Sequence, residues 1–308
     1  SDFPAIHAIA NSAESNCAGS ASEFTRNHTT EARQIMNAAQ TPDPAEYTSV
    51  IVANSTLVQL MNDGLVRPLN DLVEKYGGNL KSNQLITIDG KRLRVSEEGD
   101  FIFAFGRKFK EAISISVNGE SKKYEIEDKA YKKEIIRGLP SRKVEPKKED
   151  IKKIQSDQKK IKLTKTVGEK KKLFGKTFLI PVDGRISGVY GSQRILNSKP
   201  RSTHKGIDIA APKGTKIYAP SNGRIILIEE DMFFTGKTVI IDHGMGLISI
   251  FAHLNDIYIR PGQLVEKGME VGEVGMSGRA TGPHLHWGVY LENISVDPMA
   301  LLKFKFTN

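Results

Sequence analysis

The sequence has very little cysteine, and this scarcity excludes several ways of stabilising a domain. Its 308 residues include one cysteine, Cys17, so no disulfide can form within the chain. A structural zinc site closed by several cysteines is excluded for the same reason. Long apolar runs are also missing, since no stretch approaches the about 20 residues that a membrane-spanning helix needs. The sequence therefore predicts no integral membrane segment.

Negative charge is too scarce to balance the lysines and arginines, but the imbalance is confined to one part of the chain. The formal net charge is +9, and the stretch 141–176 alone holds 14 Lys and Arg against 5 Asp and Glu. Aromatic side chains that could stack on bases are missing from this stretch apart from Phe174. We therefore predict no nucleic-acid partner and interpret the basic stretch as a solvated linker.

The length predicts more than one structural unit, because single domains usually span about 100–200 residues. Residues 1–83 carry apolar positions at helical spacing and are predicted to be a helix-rich N-terminal segment. Within this segment, residues 47–78 resemble a piece of an extracellular solute-binding protein. Residues 84–138 instead carry short alternating runs separated by the tight-turn pairs Asp89-Gly90 and Asn118-Gly119. They are predicted to form a small antiparallel β-sandwich domain.

Residues 139–176 form the lysine-rich stretch and are predicted to be a helical linker. Ile151, Ile154, Gln158 and Ile161 recur at three and four residues and would make one thin stripe on a helix. This stripe is too narrow for a core of its own. We expect a helical spacer that lies on a neighbouring domain, with disorder as the alternative.

Residues 177–308 are predicted to be an all-β domain, which makes the chain mainly β. The region is rich in glycine and short apolar runs, and no long helical pattern interrupts them. The predicted strands are Gly206 to Ala210, Arg224 to Glu229, Thr238 to Asp242, Leu247 to His253, Glu270 to Val274 and His284 to Leu291.

Five of the seven histidines lie between residues 204 and 286, and their spacing indicates a shared site. His204 and Asp208 are separated by alternating residues, so they project from one face of an extended segment. Gly206 lies between them on that face and leaves room for imidazole and carboxylate to converge. His284 and His286 are two residues apart on a predicted strand and also point the same way.

Imidazole nitrogens combined with one carboxylate oxygen are typical ligands of a catalytic zinc ion, which keeps one position open for water. His253 supplies one further imidazole at the end of a predicted strand. Hydrolysis needs groups that deprotonate water and handle the oxyanion and the leaving amine, so extra histidines suit that reaction. His243 lies in a turn-like hairpin and is interpreted as structural. Tyr190 and Arg194 are assigned no chemical role.

Three motifs carry a family resemblance: His204-x-x-x-Asp208, Phe251-Ala252-His253-Leu254 and Gly282-Pro283-His284-Leu285-His286. They are similar, in the same order, to the signatures of lysostaphin or LytM-type zinc metallopeptidases, over residues 178–298. The resemblance implies a barrel-sandwich-like β domain in which His204, Asp208 and His286 bind one zinc ion. It also implies that His253 and His284 are catalytic, with orientation of the ligands as the alternative role.

The small β domain and the basic linker before these motifs resemble Gram-negative envelope peptidases. The resemblance implies a periplasmic or secreted protein that hydrolyses peptidoglycan cross-links, with the D-alanyl-diaminopimelate bond as the expected target. The alternative is a non-enzymatic wall-binding activator of a cell-wall amidase, so an amidase or scaffold partner is a further expectation. Hairpins around residues 219–224 and 260–268 also resemble biotin- and lipoate-carrying domains, but no lysine stands in the expected setting.

Overall fold

The computed structural model describes residues 51–54, 85–96, 101–117, 119–126, 130–165 and 168–303. The prediction of a mainly β protein is confirmed, because strands far outnumber helical residues in these ranges. The predicted helix-rich segment 1–83 lies outside the described residues apart from one short strand, Ile51–Asn54. The resemblance to a solute-binding protein falls in the same segment and is not tested by the described part.

The strands before the linker are β1 (Ile51–Asn54), β2 (Ile86–Ile88), β3 (Lys91–Arg92), β4 (Phe101–Ala104), β5 (Ile113–Val117), β6 (Glu120–Tyr124) and β7 (Lys133–Ile136). The helices are α1 (Ser141–Val144), α2 (Lys148–Thr164) and α3 (Pro298–Leu301). The strands after the linker are β8 (Arg185–Gly188), β9 (Gln193–Leu196), β10 (Lys199–Pro200), β11 (Gly206–Ala210), β12 (Lys216–Tyr218), β13 (Gly223–Met232), β14 (Gly236–Asp242), β15 (Leu247–Ile257), β16 (Leu264–Val265), β17 (Glu270–Val274), β18 (His284–Leu291) and β19 (Ile294–Val296).

In the described part of the C-terminal region, one ten-stranded sheet forms the centre. Its main path runs β16-β13-β14-β15-β18-β11-β8, while β17 joins β15, β12 joins β17, and β19 joins β18. One face of the central strands carries the larger core, which includes Phe251, Leu285 and Trp287. The other face carries Ile248, Ile250 and others in a second, smaller core. Because both faces are buried, β14 and β15 contain nearly continuous apolar runs rather than alternating ones.

The smaller sheets divide the region 84–138 differently from the predicted single sandwich. Strands β3, β2, β5 and β6 form a four-stranded antiparallel sheet, whereas β4 pairs with β1. Strand β7 leaves this group and pairs in parallel with β9, which lies after the linker. Residues 133–136 are therefore part of the C-terminal region in space, because their backbone hydrogen bonds are made there.

Helix α2 covers the second face of the large sheet and is more than a solvated spacer. Its start is fixed by Asp150, whose carboxylate accepts a hydrogen bond from the backbone of Lys147 at 3.0 Å. Ile161 packs on the smaller core of the sheet. The buried Asp157 accepts a hydrogen bond from the backbone N–H of Phe233 at 2.7 Å. No helix among the described residues is both long and apolar enough to cross a membrane.

His243 lies in the core and has the structural surroundings that the sequence suggested. Its side chain is fully buried, with Nδ1 2.7 Å from the carbonyl oxygen of Asn222 and Nε2 2.9 Å from Oγ of Ser249. The indole N–H of Trp287 donates to the same hydroxyl at 3.2 Å. Burial lowers the pKa of His243 to about 4, so the neutral imidazole is the folded form.

We expect the metal-free protein to lose stability in mild acid, partly through His243. Its folded pKa lies below that of the unfolded chain, so the unfolded state takes up a proton first as the pH falls from about 6.5 toward 4. The His243→Gln variant should therefore lose less stability than wild type between pH 7 and pH 4.5, by about 2–3 kcal/mol. Urea unfolding at both pH values measures this difference, and parallel losses in the two proteins would contradict it.

Candidate metal centre and cleft

Three adjacent strands bring the predicted site residues to one face of the large sheet. In the antiparallel pairing of β11 with β18, Asp208 lies opposite His286 and Ala210 lies opposite His284. Strand β15 pairs on the other side of β18 and places Ala252 opposite His286. Since alternate residues of a strand share a face, both imidazoles and the carboxylate emerge together.

His204 lies just before β11 and is fixed by backbone contacts to the segment before β9. Its N–H donates to the carbonyl of Ser192 at 2.9 Å, and its carbonyl accepts from the N–H of Gly191 at 2.9 Å. Its ring is buried, and Nδ1 lies 3.0 Å from the carbonyl oxygen of Val189. A proton on Nδ1 satisfies that carbonyl and leaves the lone pair of Nε2 directed into the site.

Three potential ligand atoms converge at the centre of this site. Nε2 of His204 lies 3.1 Å from Nδ1 of His286 and 3.1 Å from Oδ1 of Asp208. The separation between Nδ1 of His286 and Oδ1 of Asp208 is 2.8 Å. Tetrahedral zinc with bonds of about 2.0–2.1 Å needs ligand atoms roughly 3.3 Å apart. The triangle therefore needs only a slight expansion to hold such an ion, and its donors are of the right kind.

Electrostatics favour the protonation states that metal binding requires. Burial raises the pKa of Asp208, but His204 and His286 together outweigh it and hold that pKa well below its usual range. Burial lowers the pKa of His286 to about 4, against the opposing effect of Asp208. At neutral pH the site thus offers a carboxylate and an unprotonated imidazole, which a metal can bind without displacing a proton.

Arg194 is the residue in this site that sequence reasoning missed. Its guanidinium donates to Oδ2 of Asp208, and its Nε lies 3.3 Å from Oε2 of Glu134 on β7. The arginine therefore fixes one carboxylate oxygen and leaves the other facing the imidazoles. No local pattern indicated this role, because Glu134 and Asp208 are far from Arg194 in sequence and meet it only through the β7–β9 and β11 contacts.

Two glycines make room for the ligands. A Cβ at Gly206 would lie 2.9 Å from Cε1 of His286, which supports the inference that this position must lack a side chain. Gly188 lies opposite Asp208 in the pairing of β8 with β11. A Cβ there would lie 2.6 Å from Oδ2 of Asp208 and 3.0 Å from Nη2 of Arg194. A methyl group at 188 would displace the carboxylate from its fixed position.

We expect Gly188→Ala to weaken metal binding by about 10–100-fold, the usual effect of disturbing groups that orient a ligand. The comparison is with Gly175→Ala, where a Cβ would meet nothing within 4 Å. Competition with a coloured zinc chelator measures both affinities. Equal affinities of the two variants would show that the Arg194–Asp208 contact does not orient the ligand.

His253 reaches the site through a local distortion of β15. Predicted to end at His253, this strand continues to Ile257, and His253 has a φ of 66°, rare for a residue other than glycine. Regular alternation would direct its side chain into the core beside Phe251; the distortion turns it toward the site instead. Its Nδ1 lies 2.7 Å from the carbonyl of Ser277, and burial lowers its pKa to about 3.

His284 completes the group of five predicted residues. Its Nδ1 lies 2.8 Å from the carbonyl of Gly282, and its Nε2 lies 3.9 Å from Oδ1 of Asp208. The rings of His253 and His284 are neighbours, with centroids 4.7 Å apart. Each of these two histidines satisfies a carbonyl through Nδ1, so each presents Nε2 as its free nitrogen.

The site opens into a cleft of about 370 Å³ that both halves of the chain line. One wall carries Asp208, His253 and His284, and the loop 279–283 borders them. The opposite wall comes from β7 and the turn after it, through Glu134, Ile136, Leu139 and their neighbours. The sequence had placed Glu134 and Ile136 in a separate small domain and Leu139 at the start of the linker, so their contribution to the cleft was not foreseen.

Two imidazoles and one carboxylate in metal-binding geometry, beside a cleft lined by two further imidazoles, are the groups that a metal-dependent hydrolase needs. Comparison with known proteins shows a family to which this part of the chain is similar. The model of peptidase family M23 matches residues 202–298. Residues 202–298 are thus similar to a family of metallopeptidases, and this similarity implies a metal cofactor.

The relatives agree with this assignment. The chain is 35% identical over 96 residues to the peptidoglycan DD-endopeptidase ShyB and 34% identical over 122 residues to the peptidoglycan DD-endopeptidase ShyA, both from Vibrio cholerae. These matches cover 31% and 39% of this chain but only 22% and 28% of the two relatives. A crystal structure described as a peptidase M23 from Pseudomonas aeruginosa matches with a TM-score of 0.56 and 27% identity, covering 85% of this chain and 96% of that one.

Proposed function

We propose that the chain is a zinc-dependent endopeptidase that hydrolyses the peptide cross-links of bacterial peptidoglycan. The observation that carries the proposal is the triangle of His204 Nε2, Asp208 Oδ1 and His286 Nδ1, with edges of 2.8–3.1 Å. Asp208 lines a cleft together with two further imidazoles, those of His253 and His284. The substrate class is supported by the Vibrio relatives, which are named peptidoglycan DD-endopeptidases.

The three triangle residues would hold one zinc ion. When bound, zinc polarises a carbonyl group and lowers the pKa of a water ligand. Zinc is favoured among metals because two imidazoles and one carboxylate leave a fourth tetrahedral position for substrate or water. Arg194 keeps Oδ2 of Asp208 occupied, so that Oδ1 is the oxygen available to the ion.

His253 and His284 are proposed to move protons during hydrolysis. Both have Nδ1 engaged by a backbone carbonyl, which fixes the ring orientation and leaves Nε2 to contact water or substrate. Burial lowers the pKa of His253 to about 3, so its ring is neutral before the reaction begins. Between them, the two rings can accept a proton from the attacking water, stabilise the oxyanion and donate to the leaving amine.

The proposal also covers the bond that is cleaved and the compartment in which the protein acts. A D-alanyl-diaminopimelate cross-link is the target expected from the Gram-negative envelope resemblance, and its hydrolysis places the protein in the periplasm or outside the cell. The non-enzymatic activator of an amidase is not favoured, because the similar proteins are named for hydrolysis. An amidase or scaffold partner stays a prediction from the sequence.

The test is digestion of purified diaminopimelate-type peptidoglycan, with the soluble products identified by mass spectrometry. Wild type should convert cross-linked muropeptides into uncross-linked ones, and the product masses identify the bond. Chelator-treated protein and His204→Ala should leave the wall uncut. Intact wall with zinc-loaded wild type, together with full cleavage when an amidase is added, would establish the activator instead.

A further inference from the structure

Arg279 lies beside the candidate site without a role in it. It belongs to the loop that carries Ser277 and leads into β18, and it lines the same cleft as His253 and His284. Its backbone N–H donates to the carbonyl of Phe234 at 2.8 Å, and its guanidinium lies over the ring of Phe234, 4.4 Å from the centroid. The arginine is therefore held in place and partly buried at the border of the cleft.

The residues that the structure describes do not neutralise the charge of Arg279. Within the described part of the chain, no carboxylate lies at ion-pair distance from Arg279, and the charged groups that act on it are the cations Arg194 and Arg201. Burial, followed by these two cations, lowers its pKa to about 10. A desolvated cation among other cations is unfavourable unless an anion joins them.

Most of the guanidinium's N–H donors also have no acceptor among the described residues. An arginine has five N–H donors, and among the described residues the side chain makes a single hydrogen bond, from Nη1 to the carbonyl of Lys143 at 3.5 Å. That distance is at the limit for a hydrogen bond. A contact with α1, which carries Lys143, therefore does not explain the position of the whole guanidinium group. A planar guanidinium with free donors in a cleft matches a carboxylate in charge and shape.

We propose that Arg279 binds a free α-carboxylate of the substrate next to the scissile bond. This inference rests on the proposed peptidase function. The residue on the carbonyl side of the bond has its α-carboxyl group in the bond itself. A free α-carboxylate next to the scissile bond therefore belongs to the residue on the amine side, whose amino group is the leaving group. The preferred substrates are peptides in which this amine-side residue carries a free α-carboxylate.

Paired synthetic peptides test the assignment. The two members of a pair share one scissile bond, and the residue on the amine side carries either a free carboxylate or a carboxamide. For wild type, kcat/KM should be about 10–100-fold higher for the carboxylate, the range of a charge-assisted hydrogen bond. Arg279→Gln should lose this preference with little change toward the carboxamide, and Arg279→Lys should keep part of it. Arg260→Gln, at an exposed arginine outside the cleft lining, is the matched control and should behave as wild type.

A second measurement separates binding from folding and from the reaction. Calorimetry with metal-free protein should show weaker binding of the carboxylate product to Arg279→Gln than to wild type, while thermal melting of the variant stays near wild type. Equal cleavage of both peptides by wild type would overturn the carboxylate assignment and leave the peptidase function intact. If wild type cleaved neither peptide but product binding still depended on Arg279, the proposed peptidase function would be contradicted and the carboxylate site would not.

Discussion

His286→Ala will abolish stoichiometric zinc binding and reduce hydrolysis of cross-linked peptide to background. The residue supplies one of three converging ligand atoms, and its Nδ1 lies 2.8 Å from Asp208 Oδ1 and 3.1 Å from His204 Nε2. Changes in groups that only orient a ligand already cost about 10–100-fold in metal affinity, so removal of a ligand should cost more. Elemental analysis after dialysis measures the zinc content, and mass spectrometry of muropeptides measures the activity.

The control for this variant is another buried histidine. His243 is fully buried but bonds to Asn222 and Ser249 on the core side of the sheet. The His243→Gln protein should therefore retain one zinc per chain and its activity at pH 7. If His286→Ala also retained one zinc per chain, His286 would not be a ligand and the triangle would not be the metal site.

His253→Ala will keep its zinc and lose about 10²–10⁴-fold in kcat, the range typical of a lost general acid or base. The ring contributes no atom to the ligand triangle, since its contacts are the carbonyl of Ser277 and the rings of His284 and His286. Its φ of 66° also implies that the backbone is held in a costly conformation to place the imidazole there. Paired measurements of zinc content and kcat on one sample separate the two roles.

The result for His253→Ala has a clear alternative. If the variant lost zinc and activity together, His253 would serve mainly to orient the metal ligands. If it lost neither, the distortion of β15 would need a structural explanation. The same measurements on His284→Ala would show which role each histidine has, because His284 is the closer of the two to Asp208.

Local patterns were sufficient to predict the strands that carry the ligands. The bounds of β11, β17 and β18 coincide with the predicted ones, because alternation of small, apolar and polar residues reports directly on strand geometry. The same alternation brought His284 and His286 to one face. Strand β15 was predicted four residues too short, because a left-handed residue inside a strand leaves no local signal.

The particular side chains that join distant segments were beyond the reach of those patterns. Helix α2 is attached to the sheet partly through the buried Asp157. From sequence alone, an aspartate in a lysine-rich helix is expected to be exposed to solvent. The role of Arg194 depends on Glu134, which arrives with β7 from the region before the linker. Cleft residues such as Ile136 and Leu139 likewise lie outside residues 202–298, which match the family.

The measurement that tests the central claim most directly is a zinc titration of the metal-free chain, followed by cleavage of a purified cross-linked muropeptide. Activity should rise in proportion to added zinc and stop rising at one equivalent per chain. Asp208→Ala should show no rise over the same range. Activity that does not depend on zinc, or an uncut substrate with one zinc bound, would contradict the account.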